Sequence, residues 1–412
     1  MKKLLMMAMM VVASSTAFAG DSDALKAILK AKDFAEAEAL VKSSLGQLAN
    51  DQEKAKAYNK LVELAYEKYK KEDDTKTTNQ VMQKNDPIDK EGMVLAGMNA
   101  LNYAIECDKY DILPDAKGKV KPAFQKKNQD RLKNVRIGVL NGGIDYANDN
   151  KNEDALKCFE AYMNSAKAAL FEGVEGVAVN DPNRGVAAFY GGRAAAQLKD
   201  FAKATDFFKV GVQDTAKQIH DLSFEFLLYS MRMSQNTKAD SVKYLNDIKE
   251  LYGQYPDNEQ VYGALSDAVI QQGTSEEVIR LADEFSAKNP VSSLPHVYKG
   301  YLLMQQKKYD ESIAEFDKVS EDNKAIFLQC VYNRAVCKWN KAAEFNEAKS
   351  DVRTGRMNAA DEAAFKDMLM NAQKDFEKAK ELDPDQMTVK WGYLLKNIYT
   401  QTGQQEKADA IL

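Results

Sequence analysis

Histidine is nearly absent: His220 and His296 are the only two in 412 residues. They lie far apart with no evident partner, so a histidine-based metal site or a histidine-driven nucleophile is poorly supplied. Neither His-Glu-x-x-His, Gly-x-Ser-x-Gly nor Ser-x-x-Lys occurs, and the four cysteines form no Cys-x-x-Cys. Asp73-Asp74 and Asp383 to Asp385 lack the order of a calcium loop. Gly138, Gly142 and Gly143 cluster, but without the spacing of a dinucleotide fingerprint or a P-loop. Acidic residues are plentiful, yet helical spacing puts most of them outside, where nothing shifts them toward catalytic work. These gaps argue against an enzyme and against a cofactor.

Long apolar runs are also missing. The longest, Leu4 to Val12, is too short for the roughly 20 residues that span a bilayer. It follows Lys2-Lys3 and precedes Ala17-Phe18-Ala19, the three zones of a secretory signal peptide. Residues 1–19 are therefore expected to be a leader cleaved between Ala19 and Gly20. No cysteine stands at that junction to carry a lipid, since the first is Cys107. Cleavage removes two of 57 basic residues and none of 62 acidic ones, leaving 55 − 62, or −7. Such a charge argues against nucleic acid as a partner, and no membrane span is expected in the mature chain.

An exported chain can form disulfides. Cys330 and Cys337 are seven apart in one predicted helix, about 10.5 Å along its axis, beyond disulfide reach. Cys107 and Cys158 fall in neighbouring predicted helices, where a bridge is conceivable; buried free thiols are the preferred reading.

What the chain does contain is a repeat. Between Asn258 and Val319, Tyr262, Leu265, Ser266 and Val269 mark one helix face, Gly273 breaks it, Val278, Ala282 and Phe285 mark a second helix, and Pro290 closes the unit. Gly300 and Leu303, then Tyr309, Ser312, Phe316 and Val319, repeat that order. Val278 to Ser312 is 34 positions, and 34 is the period of one helical repeat class. With a small residue in the first helix (Gly300), an aromatic opening the second (Tyr309), and small, aromatic and aliphatic positions after it (Ser312, Phe316, Val319), the pattern resembles the tetratricopeptide repeat. The resemblance implies an all-α chain, a TPR-type α-solenoid of about nine helix-turn-helix units with loop insertions.

Other stretches repeat the theme. Leu25, Ile28, Phe34, Ala37 and Val41 form a short first unit capped at Asp33, and Tyr58, Leu61, Val62, Ala65 and Tyr69 mark a second. In the third and fourth, Gly143 and Gly192 take the small position, where the next helix packs too close for a side chain. Polar Glu72 to Asp86 reads as an interruption of the second unit, and Asp108 to Pro122, with Lys117, Lys119 and Lys121, as a loop. Phe171 to Asn183 breaks the array again, which divides it into sub-solenoids at 20–176 and 183–412. Ser312 to Ala372 is 60 positions rather than 34, so about 26 residues extend the eighth pair as a projecting helical hairpin.

The resemblance further implies a scaffold that binds a peptide or protein segment in a concave groove lined by the first helix of each unit. Transferred by position, that groove takes in Phe189, Arg193, Asp267, Val297, Tyr301, Met304, Tyr332, Val336 and Trp339. Val297, Tyr301 and Met304 share a face, as do Tyr332, Val336 and Trp339, so the seventh and eighth units carry the expected main surface. Lys338 stands beside it as a position whose charge should be reversible without harm. The functional expectation is a periplasmic interaction scaffold; the rival is a glycan-binding or nutrient-uptake accessory at the outer membrane. The abrupt end at Leu412 leaves a homo-oligomer through the C-terminal unit open. Asp214-Thr215-Ala216 and Asp240-Ser241-Val242 resemble an O-glycan acceptor pattern, each placed between predicted helices.

Overall fold

The computed structural model describes residues 21–115 and 117–411; the leader, with its junction at Ala19 and Gly20, lies outside them. Among the described residues there are eighteen α-helices and no strand beyond an isolated bridge between Glu175 and Val179. The chain divides between Ser234 and Gln235 into two compact units. The first holds α1 (Asp23–Lys30), α2 (Phe34–Ser44), α3 (Asp51–Met82), α4 (Lys90–Asp111), α5 (Gln125–Asn148), α6 (Asn152–Lys167), α7 (Arg184–Gln197), α8 (Phe201–Gly211) and α9 (Lys217–Met233). The second holds α10 (Lys238–Gln254), α11 (Glu259–Gln272), α12 (Ser275–Lys288), α13 (Leu294–Gln305), α14 (Tyr309–Phe316), α15 (Lys324–Lys349), α16 (Ala359–Leu382), α17 (Gly392–Gln401) and α18 (Gln405–Asp409). Within each unit, helices pack on their neighbours in chain order, an all-α helical-repeat architecture.

Starts are written in the sequence: Asp33, Asn50, Asp200, Thr274 and Asn358 each accept a hydrogen bond from a backbone N–H of the first turn they precede. The small positions then set how closely a pair closes. A Cβ placed on Gly192 would lie 2.6 Å from Phe208 Cε1, one on Gly300 2.6 Å from Phe316 Cε1, and one on Gly143 3.0 Å from Phe159 Cε1. In each case the glycine and the phenylalanine are sixteen residues apart in sequence. Ser312, at the small position of α14, is fully buried and donates to the carbonyl of Gly300 at 2.7 Å, which satisfies its hydroxyl inside the contact.

Two expectations are corrected. Glu72 to Asp86 does not interrupt the second unit: α3 runs on to Met82. Lys70 pairs with Asp74 one turn on, the Thr75 and Thr78 hydroxyls donate to carbonyls four residues back, and Gln83 ends the helix in the left-handed region at φ 53°. Asn79 then clasps Asp86 through two hydrogen bonds of 2.8 and 3.0 Å. Polarity there marks a solvated helix, and the inserted length goes into extending α3. The second correction concerns 171–183: the division between units falls at 234 and 235 instead. Leu170, Phe171 and Val177 are buried with Ala100, Leu132 and Val135 in one cluster, so this stretch is core to the first unit. In the second unit α15 and α16, of 26 and 24 residues, outrun the 12 and 8 of α13 and α14, as the inserted length implies.

Arg136 fixes the far end of that stretch. It falls in the apolar stripe Leu132, Val135, Val139 of α5 and is fully buried. Its Nη2 meets Asp181 Oδ2 at 2.9 Å, its Nε donates to Ser165 Oγ at 2.8 Å, and its guanidinium lies 4.1 Å from the Tyr162 ring centroid. Tyr162 donates its own hydroxyl to Asp181 at 2.8 Å.

Two substitutions test this account. Gly192→Ala is expected to cost about 1–3 kcal/mol by overpacking against Phe208, with part of the loss returned by adding Phe208→Leu, read from urea unfolding. Asp181→Ala leaves a buried guanidinium unpaired and should cost about 3–5 kcal/mol, much of which Arg136→Met in the same chain recovers; hydrogen exchange across α5 and α6 reads both.

Candidate binding surfaces

The first surface is one face of α7. Its glycines, Gly191 and Gly192, lie against Phe207 and Phe208 of α8, so the 3.6-residue period turns Tyr190 and Arg193 away from that contact. Phe189 is buried, its ring 5.4 Å from Tyr190 edge-on and 6.1 Å from Phe226 of α9. The exposed Arg193 guanidinium lies 5.7 Å from the Phe189 centroid and 5.9 Å from that of Tyr190. Both contacts are within cation–π reach, and the planar group keeps its N–H donors for a carboxylate. Among the described residues Arg193 has no carboxylate partner. Thus Phe189 and Arg193, both expected in the groove, are brought together.

In the second unit the expected residues separate into two sets. Val297 and Met304 pack against Tyr309, Phe316, Val319, Cys330 and Cys337. Tyr332, Val336 and Trp339 pack instead against a cluster that contains Ala335, Leu369 and Phe376, and the Tyr332 ring meets that of Phe376 edge-on at 6.0 Å. Tyr301 is 40% exposed. Asp267 is exposed and accepts the Tyr298 hydroxyl at 3.1 Å.

Lys338 is not a neutral bystander. Its Nζ lies 2.7 Å from Asp375 Oδ2, and Arg334 holds the same buried carboxylate at 2.8 and 2.9 Å. Charge reversal there would set two carboxylates side by side, contrary to the expectation from sequence. His296 likewise has a partner, Glu315, at 2.7 Å, and His220 has Asp221 at 3.0 Å. Glu315 stands nineteen residues away in sequence, and Asp221 is the adjacent residue. Lys318 and His296 hold the Glu315 carboxyl below its ordinary range despite partial burial that pushes the other way. Among the described residues no three His, Cys, Asp or Glu side chains converge as metal ligands, and no helix is long and apolar enough to cross a membrane.

A tyrosine row in the first unit has the composition of a glycan platform. Tyr58 lies between Tyr103 at 6.2 Å and Tyr110 at 5.7 Å, nearly parallel to both, while Phe34 closes on Tyr103 and the Lys54 ammonium covers Tyr110. Ring faces are taken up within the row, so it joins α2, α3 and α4 rather than offering them outward. All four cysteines are buried free thiols, and burial pushes Cys158 and Cys330 up to about 12. Thr215 is exposed in the connection between α8 and α9; Ser241, expected in a loop, sits in α10 with its hydroxyl turned to the Thr237 carbonyl.

No family model and no curated protein matches the chain in sequence. Among solved structures, a monomeric mutant of IFIT1 with Gppp-AAAA is 14% identical over 94% of this chain and 76% of that one, at TM-score 0.38. The human IFIT1 dimer with m7Gppp-AAAA is 13% identical over 84% and 71%, at 0.36. Naa15/Naa10 bound to HypK-THB is 14% identical over 92% of this chain and 54% of that one, at 0.30. These are distant likenesses, and the assignment as an all-α helical-repeat fold rests on the helices themselves.

The Lys338 geometry gives a direct check. Lys338→Glu should lower stability by about 1–3 kcal/mol, and Lys338→Met by less, because Arg334 still holds Asp375; the thermal midpoints of the two variants rank them.

Proposed function

We propose that this helical-repeat scaffold is of the tetratricopeptide type, works in the periplasm after export, and holds an extended peptide or protein segment against the outward face of α7. The observation that carries the reading is Arg193: a guanidinium held over Phe189 and Tyr190, exposed, and without a carboxylate partner among the described residues. Aromatic and arginine side chains together make the composition favoured at interface hot spots. Holding the guanidinium before binding lowers the ordering cost of using it. Tyr301 supplies a second exposed aromatic, on α13 of the other unit. Export rests on the Ala17-Phe18-Ala19 junction read from sequence.

The test places a photo-crosslinking phenylalanine analogue at Tyr190 in cells that produce the protein, with exposed Thr77 in the last turns of α3 as the control position. A discrete adduct from position 190, absent at 77 and lost with Arg193→Glu, supports the reading. Crosslinks that ignore Arg193→Glu, or that are no stronger than at 77, overturn it. Osmotic-shock release of a chain whose mass begins at Gly20 supports the location, and retention with an intact leader overturns it.

A further inference from the structure

Arg184 and Asp214 border one cavity without meeting. The pocket has a volume of 350 Å³ and lies wholly in the first unit, where the entry to α7 faces the exit of α8; Asn180, Gln213, Thr215 and Val210 complete its working walls. That volume is at the small end of ligand pockets, which run from about 300 to 1,000 Å³.

Two features keep the opposite charges apart. Asp214 is fixed from its own turn, where Oδ1 accepts the Ala216 N–H at 2.7 Å. It has room only because residue 185 is glycine: a Cβ there would fall 1.8 Å from Asp214 Oδ2. Arg184 is exposed and, among the described residues, has no carboxylate partner. Asp181, the other acid on the rim, is spent: its oxygens accept from Arg136, from the Tyr162 hydroxyl and from the Asn183 N–H. One guanidinium and one carboxylate therefore remain to face the same space.

We propose that this pocket binds a small zwitterion of the α-amino-acid type, its carboxylate on Arg184 and its ammonium on Asp214. An α-amino acid carries opposite charges on adjacent atoms of one compact molecule, which matches a pocket with one charge of each sign. A simple anion would meet Asp214, a simple cation would meet Arg184, and a neutral ligand would cover both charges without pairing either. The Gln213 amide and the Thr215 hydroxyl can share the polar atoms, and Val210 offers an apolar wall to a short side chain. This site is separate from the Arg193 surface and does not depend on it.

Calorimetric titration of the full chain decides the matter, using each of the twenty free amino acids, N-acetylalanine and alaninamide. At least one small amino acid should bind, and blocking either end of alanine should weaken it about tenfold or more, as loss of a charge-assisted contact does. Arg184→Gln, at an exposed side chain, and Asp214→Asn should each weaken binding by a similar factor with the thermal midpoint held. Gly185→Ala should do so by displacing the carboxylate. No heat from any amino acid at millimolar concentration overturns the proposal, as does equal binding of alanine and N-acetylalanine, or full binding by Arg184→Gln.

Discussion

A small residue laid against a phenylalanine ring is the contact on which the pairs of this protein depend. At Gly143, Gly192 and Gly300 there is no space for even one methyl group before the ring of the partner helix is reached. The distance between two helices of a pair is thereby set by backbone against ring, closer than side chain against side chain would allow. Everything a pair presents outward follows from it, because a helix that turns its smallest face inward must carry its larger residues elsewhere. On α7 the larger residues are Tyr190 and Arg193, and the inward glycines and outward anchors are one arrangement seen from two sides.

That contact was legible in the sequence because it is local. Gly300, Ser312 and Phe316 recur at fixed spacing, and spacing within one strand of text is what a periodic reading can see. The polar bodies inside the fold were not legible in the same way. Arg136 pairs with Asp181 from 45 residues away and Lys338 with Asp375 from 37. Nothing at either end names the other. A lone arginine in the stripe Leu132, Val135, Val139 was the one available signal that a buried acid must exist somewhere. The long helix α3 was missed for a related reason: Glu72 to Asp86 has no apolar stripe, and a helix held by its own turn-to-turn pairs leaves no trace of packing. The expected groove residues were legible as helix faces, but whether a face looks at solvent or at α16 depends on neighbours the spacing cannot identify.

Buried and exposed charges play different parts here. Arg136, Asp181, Arg334 and Asp375 are matched inside the units and hold segments in place. Arg184 and Arg193 are cations of α7 that, among the described residues, have no carboxylate partner. On α7 the two guanidinium groups stand on one fourteen-residue helix, one at its entry and one past its middle. The same fourteen residues thus serve as a structural brace on one side and carry exposed cations on the other.

The sixteen-residue separation also sets an order of events in time. A contact that closes over so short a loop can form as soon as its stretch of chain is available, since closure cost grows with loop length and folding slows as contacts become more distant in sequence. Pairs such as α7 with α8 and α13 with α14 are therefore the early-closing parts of a chain emerging from one end. The hairpin of α15 and α16 is the opposite case: Tyr332 must wait for Phe376, 44 residues later. Until α16 arrives, α15 stands with its apolar face open to water, which makes this hairpin a late-sheltered stretch that needs protection while the chain is incomplete.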